Sequence, residues 1–451
     1  MKIGLEIHMQ LKTDAKLFCT CSAGYRDLEP NTNICEICTG QPGSKPMSVN
    51  RKAVENLLKM ALALECRIVD DGIYIQRKHY FYPDLPSGYQ RTSKPIGIEG
   101  KLGSVRIREL HIEEDPGRYE LKKGLVDYNR SGFPLVEVVT EPDLKSPEEA
   151  REFLEEISSI ADYLEATRDE PGSMRCDANV SLEGGARVEV KNINSFKGVF
   201  TALKYEIVRQ KRMVESGKIV VQETRHFDEA QGITLSLRKK ETEADYRYFP
   251  DPDVLPLSIK SEEIEKIRSS IPELPRAKAD RFMKHYGITH EEARVIVSEK
   301  RMADSFEEMV KEIDSKFLAS FIRGMLKKQL NYRSLSFAKS GLKNQRIVEL
   351  LSILKDKCIT EKTAEQTLIR MLDENPDISA EEVAKEHTRI SDDEELEKLV
   401  EEVIRENPKP VEDYKAGSEK SIHFLSGKVM QKTKGRAEAR IVMEILKKKL
   451  K

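Results

Sequence analysis

Glycine and proline are unevenly distributed along this chain, and that limits what it can build. Residues 1–270 hold 18 of the 24 glycines and 14 of the 19 prolines, against six and five in the remaining 181 residues. Glycine admits turns that other residues resist, and proline withdraws a backbone donor, so a high density of both keeps elements short. The first region therefore reads as short runs joined by turns, and the second as helical. At 451 residues the chain is about three times the roughly 150-residue prior for one domain. The breaks fall in Ser269-Ser270-Ile271-Pro272-Glu273-Leu274-Pro275 and near Asn407-Pro408-Lys409-Pro410. They predict domains over 1–270, 271–408 and 409–451.

The first region carries a two-residue period. Ile3, Leu5, Ile7, Met9 and Leu11 alternate with Gly4, Glu6, His8 and Gln10, which predicts a half-buried strand with Glu6, His8 and Gln10 on its polar face. Cys176, Ala178, Val180 and Leu182 alternate with Asp177, Asn179 and Ser181, and Val188 and Val190 with Arg187, Glu189 and Lys191. Over Val105–Asp115 the alternation slips, predicting a bulge or a strand end. Two helices interrupt the strands. Ser146-Pro147-Glu148-Glu149 supplies an N-cap, a first-turn proline and a capping-box glutamate for a series running to Leu164. A second helix follows Asn194-Ser195, with Phe200, Leu203, Ile207 and Val214 as its apolar series, and stops at Gly217. Strands mixed with helices, without regular βαβ alternation, give the α+β class. Further on, Thr289-x-x-Glu292 and Ser379-x-x-Glu382 read as capping boxes.

Four of the seven cysteines fall within twenty residues: Cys19, Cys21, Cys35 and Cys38. Two close thiol pairs can meet as knuckles around a tetrahedral Zn²⁺, a closed site whose role is structural. The competing reading leaves them as four unmetallated thiols. An odd cysteine total, with no apolar signal core at the N-terminus, argues against a disulfide framework and for a cytoplasmic protein.

Carboxylates form a second group. Glu6 and His8 lie about 7 Å apart on one strand face, and Glu113-Glu114-Asp115, Glu137 and Asp177 add acids to the same glycine-rich region. Such acids repel one another unless a cation compensates, and Mg²⁺ takes carboxylate oxygens together with substrate phosphates. Pairing with Arg106, Arg108, Arg175 or Arg187 explains them equally well. Arg77-Lys78-His79-Tyr80-Phe81-Tyr82 and Tyr246-Arg247-Tyr248-Phe249 offer rings and cations for stacking a base, or ordinary turn packing. There is no P-loop, kinase signature, G-x-S-x-G or H-E-x-x-H, so any ATP is held without a P-loop. Net charge is only −2, which excludes a uniformly basic nucleic-acid coat, but residues 411–451 carry eleven Lys or Arg against five acids. That surplus is either a solvated helix face or a contact surface for RNA phosphates.

Several motifs together resemble one family. Gly4-Leu5-Glu6-Ile7-His8-Met9-Gln10-Leu11, Lys16-Leu17-Phe18-Cys19, Tyr80-Phe81-Tyr82-Pro83-Asp84-Leu85-Pro86 and Ser173-Met174-Arg175-Cys176-Asp177-Ala178-Asn179 are similar to the B subunit of the aspartyl/glutamyl-tRNA amidotransferase. So are Val188-Glu189-Val190-Lys191-Asn192-Ile193-Asn194-Ser195-Phe196, the stretch from Asp245 to Asp253, Tyr414-Lys415-Ala416-Gly417 and Gly427-Lys428-Val429-Met430. A longer archaeal relative, the E subunit, carries an inserted domain for which this chain has no room.

The resemblance implies an N-terminal cradle of glutamine synthetase-like fold, then an all-α helical domain and a small α-helical tail domain. It implies that ATP and Mg²⁺ activate the side-chain carboxylate of Glu-tRNA(Gln) or Asp-tRNA(Asn). Ammonia would come from the amidase A subunit, the small C subunit would complete a heterotrimer, and the helical and tail domains would hold tRNA(Gln) or tRNA(Asn). Carried over residue by residue, it puts catalytic and magnesium chemistry on Glu6, His8, Glu114, Glu137 and Asp177. Glu113, Arg175 and Lys191 become ATP neighbours, and structural zinc goes to Cys19, Cys21, Cys35 and Cys38. The rival class is a non-catalytic, zinc-bearing tRNA-binding scaffold whose acids are structural.

Overall fold

The structure is a computed structural model that describes residues 1–451 apart from 70–71, 121, 171, 184, 240–245, 381, 383–392, 416–417, 434–436, 438 and 451. The chain divides into two compact units, Met1–Pro275 and Arg276–Lys451. The first is mixed α/β around a large sheet and the second is helical.

In chain order the first unit runs β1 (Lys2–Gln10), α1 (Arg51–Ala63), β2 (Arg67–Ile68), β3 (Ile75–His79), β4 (Tyr89–Ser93), β5 (Gly97–Leu102), β6 (Val105–Asp115), β7 (Arg118–Glu120) and β8 (Leu125–Asp127). It continues with β9 (Phe133–Thr140), α2 (Pro147–Tyr163), β10 (Met174–Ser181), β11 (Val188–Ile193), α3 (Phe196–Glu215), β12 (Glu223–Asp228), β13 (Ile233–Lys239), β14 (Phe249–Pro250) and α4 (Ser261–Ser269). Twelve strands form one sheet in the order β13-β12-β11-β10-β1-β9-β6-β4-β3-β14, with β5 beside β6 and β2 beside β5, while β7 and β8 make a separate hairpin. The pairings are antiparallel except β11 with β12, which α3 joins by a crossover. The slip in β6 is a real register shift, between Ile107 and Glu109.

Alternation decides what each face does. Ile3, Leu5, Ile7 and Met9 of β1, Ile112 of β6, Val136 and Val138 of β9, and Cys176, Ala178 and Val180 of β10 point into one core shared with α1, α2 and α3. Truncating a fully buried member such as Leu57 or Ile7 to Ala costs about 2–5 kcal/mol. The α2 cap forms as the sequence predicts: Ser146 Oγ accepts from Glu149 N at 3.0 Å, although the Glu149 carboxylate reaches back to Lys145 N rather than to the cap itself. Helix α3 is capped by Ser195 and ends at Glu215, just ahead of Gly217, where φ is +73°. Its buried stripe differs from the expected one. Leu203 and Ile207 are buried, but Val214 is 51% exposed, and Glu206 and Gln210 take inward positions instead. Burial of Glu206 is tolerated because Arg209, Gln210 and Thr234 all donate to it, at 2.6, 2.9 and 3.0 Å. Gly100 in β5 marks a close approach: a Cβ there would stand 2.2 Å from Cys66 Sγ.

The second unit contains α5 (Pro275–Tyr286), α6 (His290–Val297), α7 (Lys300–Met309), α8 (Ser315–Phe321), a π-helical turn at Ile322–Leu326, α9 (Lys327–Tyr332), α10 (Asn344–Lys355) and α11 (Glu361–Asp373). They are followed by α12 (Asp393–Glu406), α13 (Pro408–Lys415), α14 (Glu419–Lys432) and α15 (Ala439–Leu450). Thr289 and Glu292 form the full reciprocal capping box of α6, whereas the box expected at Ser379 leads into residues outside those described. Leu396, Val400 and Val403 of α12 share a separate core with Ile422, Leu425, Val429, Val442 and Leu446. No described helix is long and apolar enough to cross a membrane.

Candidate functional site

The face of the sheet opposite the helices collects the charged residues. In register, Glu6 of β1 stands beside Asp177 of β10, and His8 beside Glu137 of β9 and Arg175 of β10. Glu113 of β6 reaches the same place: His8 Nε2 lies 3.2 Å from Glu113 Oε1 and 3.5 Å from Glu137 Oε1. These three residues offer ligand atoms within 4.8 Å of one another, and so does a second trio, Glu6, Asp177 and Glu189. Lys191 bridges the second trio, with Nζ 2.9 Å from Asp177 and 3.4 Å from Glu189.

The electrostatics show a face short of positive charge. Burial, then the neighbouring Glu137, pushes the Glu6 carboxyl above its usual range. Burial works against a charged His8, yet the Glu113 hydrogen bond and the charges of Glu113, Glu137 and Asp177 outweigh it and hold the imidazolium up to about 9. Burial also opposes ionisation of Glu113, but His8, Lys78 and His111 prevail and take it down to about 2. Asp177 is likewise held low against burial by Lys191 and His8. Two arginines of the pairing alternative bond outside the acid set, Arg106 to Asp143 and Arg108 to Glu141, whereas Arg175 does pair with one of its members, Asp115.

Hard divalent cations take oxygen ligands and tolerate an imidazole nitrogen. The residues present fit such an ion on an independent count. Asn179 Nδ2 donates to Glu6 Oε1 at 2.9 Å, while its Oδ1 is buried with no hydrogen-bond partner among the described residues. An unpaired amide oxygen on a residue that bonds Glu6 and pairs in register with Glu189 is a ready neutral ligand.

Glu114 is the expected residue that the structure does not bring into this set. It follows Glu113 on the same strand, so the two-residue period turns it to the opposite face. There its Oε2 accepts from Arg91 N at 3.3 Å and lies 3.5 Å from Arg91 Nη1, near Cys38 and Gly132. Glu6, His8, Glu113, Glu137, Asp177 and Lys191 do come together, and Arg175 borders them. Sequence reasoning missed Glu189 and Asn179 as members. Both were readable, since alternation through Val188-Glu189-Val190-Lys191 puts Glu189 and Lys191 on one face, and the same period sets Asn179 beside Asp177.

The four cysteines form a second cluster in this unit. Cys35 Sγ is 3.9 Å and Cys21 Sγ 4.0 Å from Cys38 Sγ, and all four sulfurs lie within 4.8 Å of one another. Four thiolates on a tetrahedral ion with bonds near 2.3 Å stand about 3.8 Å apart, so the spacing fits zinc. Cys35 N donates to Cys38 Sγ at 3.2 Å, and the wholly buried Lys16 places Nζ 3.4 Å from the same sulfur. A buried ammonium without a counter-charge is costly, and anionic sulfur supplies one. A hydrogen bond from Cys19, then the Cys35 N–H and Lys16, lowers the Cys38 thiol against the effect of burial. Cys66 and Cys176 are buried and Cys358 is exposed, all apart from the cluster.

The aromatic segments also converge. Tyr80 packs edge-on against Tyr82 and Tyr246, and Tyr246 against Tyr248. Lys78 Nζ lies 5.0 Å from the centre of the Tyr246 ring.

Comparison with known proteins gives the class first. Residues 1–265 match the family described as the GatB/GatE catalytic domain, and residues 304–450 match the GatB domain. Over its whole length the chain is 51% identical to the B subunit of the aspartyl/glutamyl-tRNA(Asn/Gln) amidotransferase of Methanothermobacter thermautotrophicus, covering 100% of that protein. It is 48% identical to the protein of the same name from Methanocaldococcus jannaschii, with 100% of this chain and 98% of that one covered. The Methanobrevibacter smithii protein is also 48% identical, with complete coverage of both. The chain belongs to this family of amidotransferase B subunits.

Proposed function

We propose that this chain is the phosphorylating and amidating component of a tRNA-dependent amidotransferase, a ligase that converts Glu-tRNA(Gln) to Gln-tRNA(Gln), Asp-tRNA(Asn) to Asn-tRNA(Asn), or both. The observation that carries the reading is the pair of adjacent acid clusters on one face of the sheet, in a chain about half identical to proteins of that name. A carboxylate is a poor electrophile. Phosphorylating it with ATP makes an acyl phosphate whose carbonyl ammonia can attack, expelling phosphate. That transfer needs alignment and neutralised charge rather than a protein nucleophile.

His8, Glu113 and Glu137 would hold one magnesium ion, and Glu6, Asp177, Glu189 and the Asn179 amide oxygen a second. Bound there, the ions would supply the positive charge that the face lacks. Arg175 and Lys191 orient the ATP phosphates, and Glu114 holds Arg91 in the wall behind. Zinc on Cys19, Cys21, Cys35 and Cys38 is structural. Ammonia comes from the amidase A subunit, which the small C subunit ties to this chain. The helical region 271–408 and the tail 409–451 hold the tRNA, in a soluble cytoplasmic complex whose first domain takes the glutamine synthetase-like fold.

The decisive experiment is reconstitution with the partner subunits, ATP and both misacylated tRNAs. Glu137→Gln should leave tRNA binding intact and lower tRNA-dependent phosphate release by orders of magnitude. Unchanged amidation by that variant refutes the catalytic reading and leaves the scaffold.

A further inference from the structure

The polar face does not stop at the acids. One step along β1 and β6, about 7 Å beyond His8 and Glu113, Gln10 Nε2 donates to Asp115 Oδ2 at 3.0 Å. Three guanidinium groups meet around this pair. Arg175 donates Nη2 to Asp115, Arg130 Nε lies 3.5 Å from the same carboxylate, and Arg26 Nη2 donates to Gln10 Oε1 at 2.9 Å. The Asp115 side chain has no exposed surface, whereas Arg130 and Arg175 are 22% and 28% exposed. The carboxylate therefore sits behind and the cations face outward. Arg130 spends Nε and Nη2 on the carbonyls of Pro116 and Gly117, which leaves its Nη1 unengaged among the described residues, as are Nε and Nη1 of Arg175. Asp84 also acts on Arg130 and Arg175, and Asp177 and Glu113 act on Arg175, so the guanidinium cluster adjoins the acid clusters directly.

One of these arginines depends on the cysteine cluster. Arg26 lies between the two thiol pairs, and its neighbour Tyr25 packs edge-on against Phe133 and accepts from Gln10 at 3.0 Å. The knuckles close the loop that lays Tyr25 and Arg26 over the end of the polar face.

We propose that Arg26, Arg130 and Arg175 form a phosphate-binding subsite beside the acid clusters, pre-set by Asp115 and Gln10 and completed by the cysteine-held loop. Guanidinium N–H groups such as Arg130 Nη1 and Arg175 Nε and Nη1 match phosphate oxygens, and a neighbouring cation site suits a chain of phosphates. This rests on the amidotransferase reading, under which the phosphate belongs either to the nucleotide or to the 3′ end of the tRNA.

The test uses the full chain with two probes, magnesium tripolyphosphate and a short RNA hairpin ending in CCA, titrated against the native protein and Arg26→Ala. Arg26 is exposed, so the variant should fold, and a matching thermal melt checks that it does. Losing one charge-assisted contact should weaken binding about tenfold. A loss confined to tripolyphosphate assigns the subsite to the nucleotide, and one confined to the hairpin assigns it to the RNA end. Arg175→Ala should weaken the same probe. Unchanged affinity for both probes in both variants overturns the subsite. Because binding is read without turnover, a native protein that binds phosphate through Arg26 yet never phosphorylates tRNA-borne carboxylate sinks only the amidotransferase reading.

Discussion

The cysteine cluster and the acidic face both gather metal-ligand atoms in the first unit, by opposite means. The cysteine cluster draws four soft ligands from one segment of twenty residues, and a buried lysine offsets part of their charge. Four thiolates would fill a tetrahedral ion and leave no position for a substrate. The acidic face draws its ligands from β1, β6, β9, β10 and β11, mixes carboxylates with an imidazole, and has His8 and Lys191 holding the acids. The first can form wherever its own loop closes. The second exists only after the sheet has found its register, and a hard ion held there would keep positions for substrate oxygens. A local closed cluster supports a fold, whereas a non-local open one is supported by it.

That contrast can be broken by experiment. The largest effect should come from Glu137→Gln, which removes a charge from the open site without changing its shape. Phosphate release in the presence of misacylated tRNA should fall on the order of 10²–10³-fold while the melting temperature stays within a few degrees. Cys35→Ser should do the reverse. Metal analysis should show about one equivalent of zinc lost, and denaturant titration a stability loss of about 2–4 kcal/mol, with magnesium binding at the acids retained. If both variants lower stability alike, the distinction between the two clusters fails.

A third prediction follows from His8. Its imidazole stays protonated up to about 9 in the metal-free protein, but a metal ligand must be neutral. Each ion that binds below that pH therefore expels one proton. Apparent affinity should rise about tenfold per pH unit until the imidazole's own pKa, then level off. Calorimetry in buffers of different ionisation enthalpy reads the proton directly, and a flat profile removes His8 from the ligand set. The smallest effect belongs to the tail. Lys432, Lys448 and Lys449 are already paired with Glu397, Glu401, Glu402 and Glu406 of α12, whereas Lys428 packs on the Phe424 ring. Lys428→Ala should weaken tRNA binding a few-fold and lower its salt slope by about one.

The strands were legible because their period is simple. Alternation in β1, β10 and β11 placed Glu6, His8, Asp177 and Lys191 on the polar side, and the slip in β6 announced its bulge. The caps at Ser146, Ser195 and Thr289 were legible too, since capping is local chemistry. What the chain concealed was non-local. Glu113-Glu114 reads as one acidic run, and only the paired strand β9 shows which carboxylate meets His8. The basic surplus of the tail read as a solvated face or an RNA contact, because the acids that neutralise part of it belong to the helix before it. Val214 looked apolar and therefore inward, but the polar Glu206 network took the inward stripe of α3.

The position of β1 has a consequence for synthesis. It lies in the middle of the sheet, yet Glu6 pairs with Val139 and Asp177, about 130 and 170 residues further along the chain. At ribosomal rates of about 5–20 residues per second, an emerging β1 waits roughly 10–30 seconds for both neighbours. Throughout that interval Ile3, Leu5 and Ile7 have no sheet to bury them, and the strand offers two unpaired edges to any other nascent chain. The strand that carries His8 is thus exposed to mispairing on the ribosome on both of its edges. Variants that slow the arrival of β9 or β10 should show up as insoluble protein rather than as a slow enzyme.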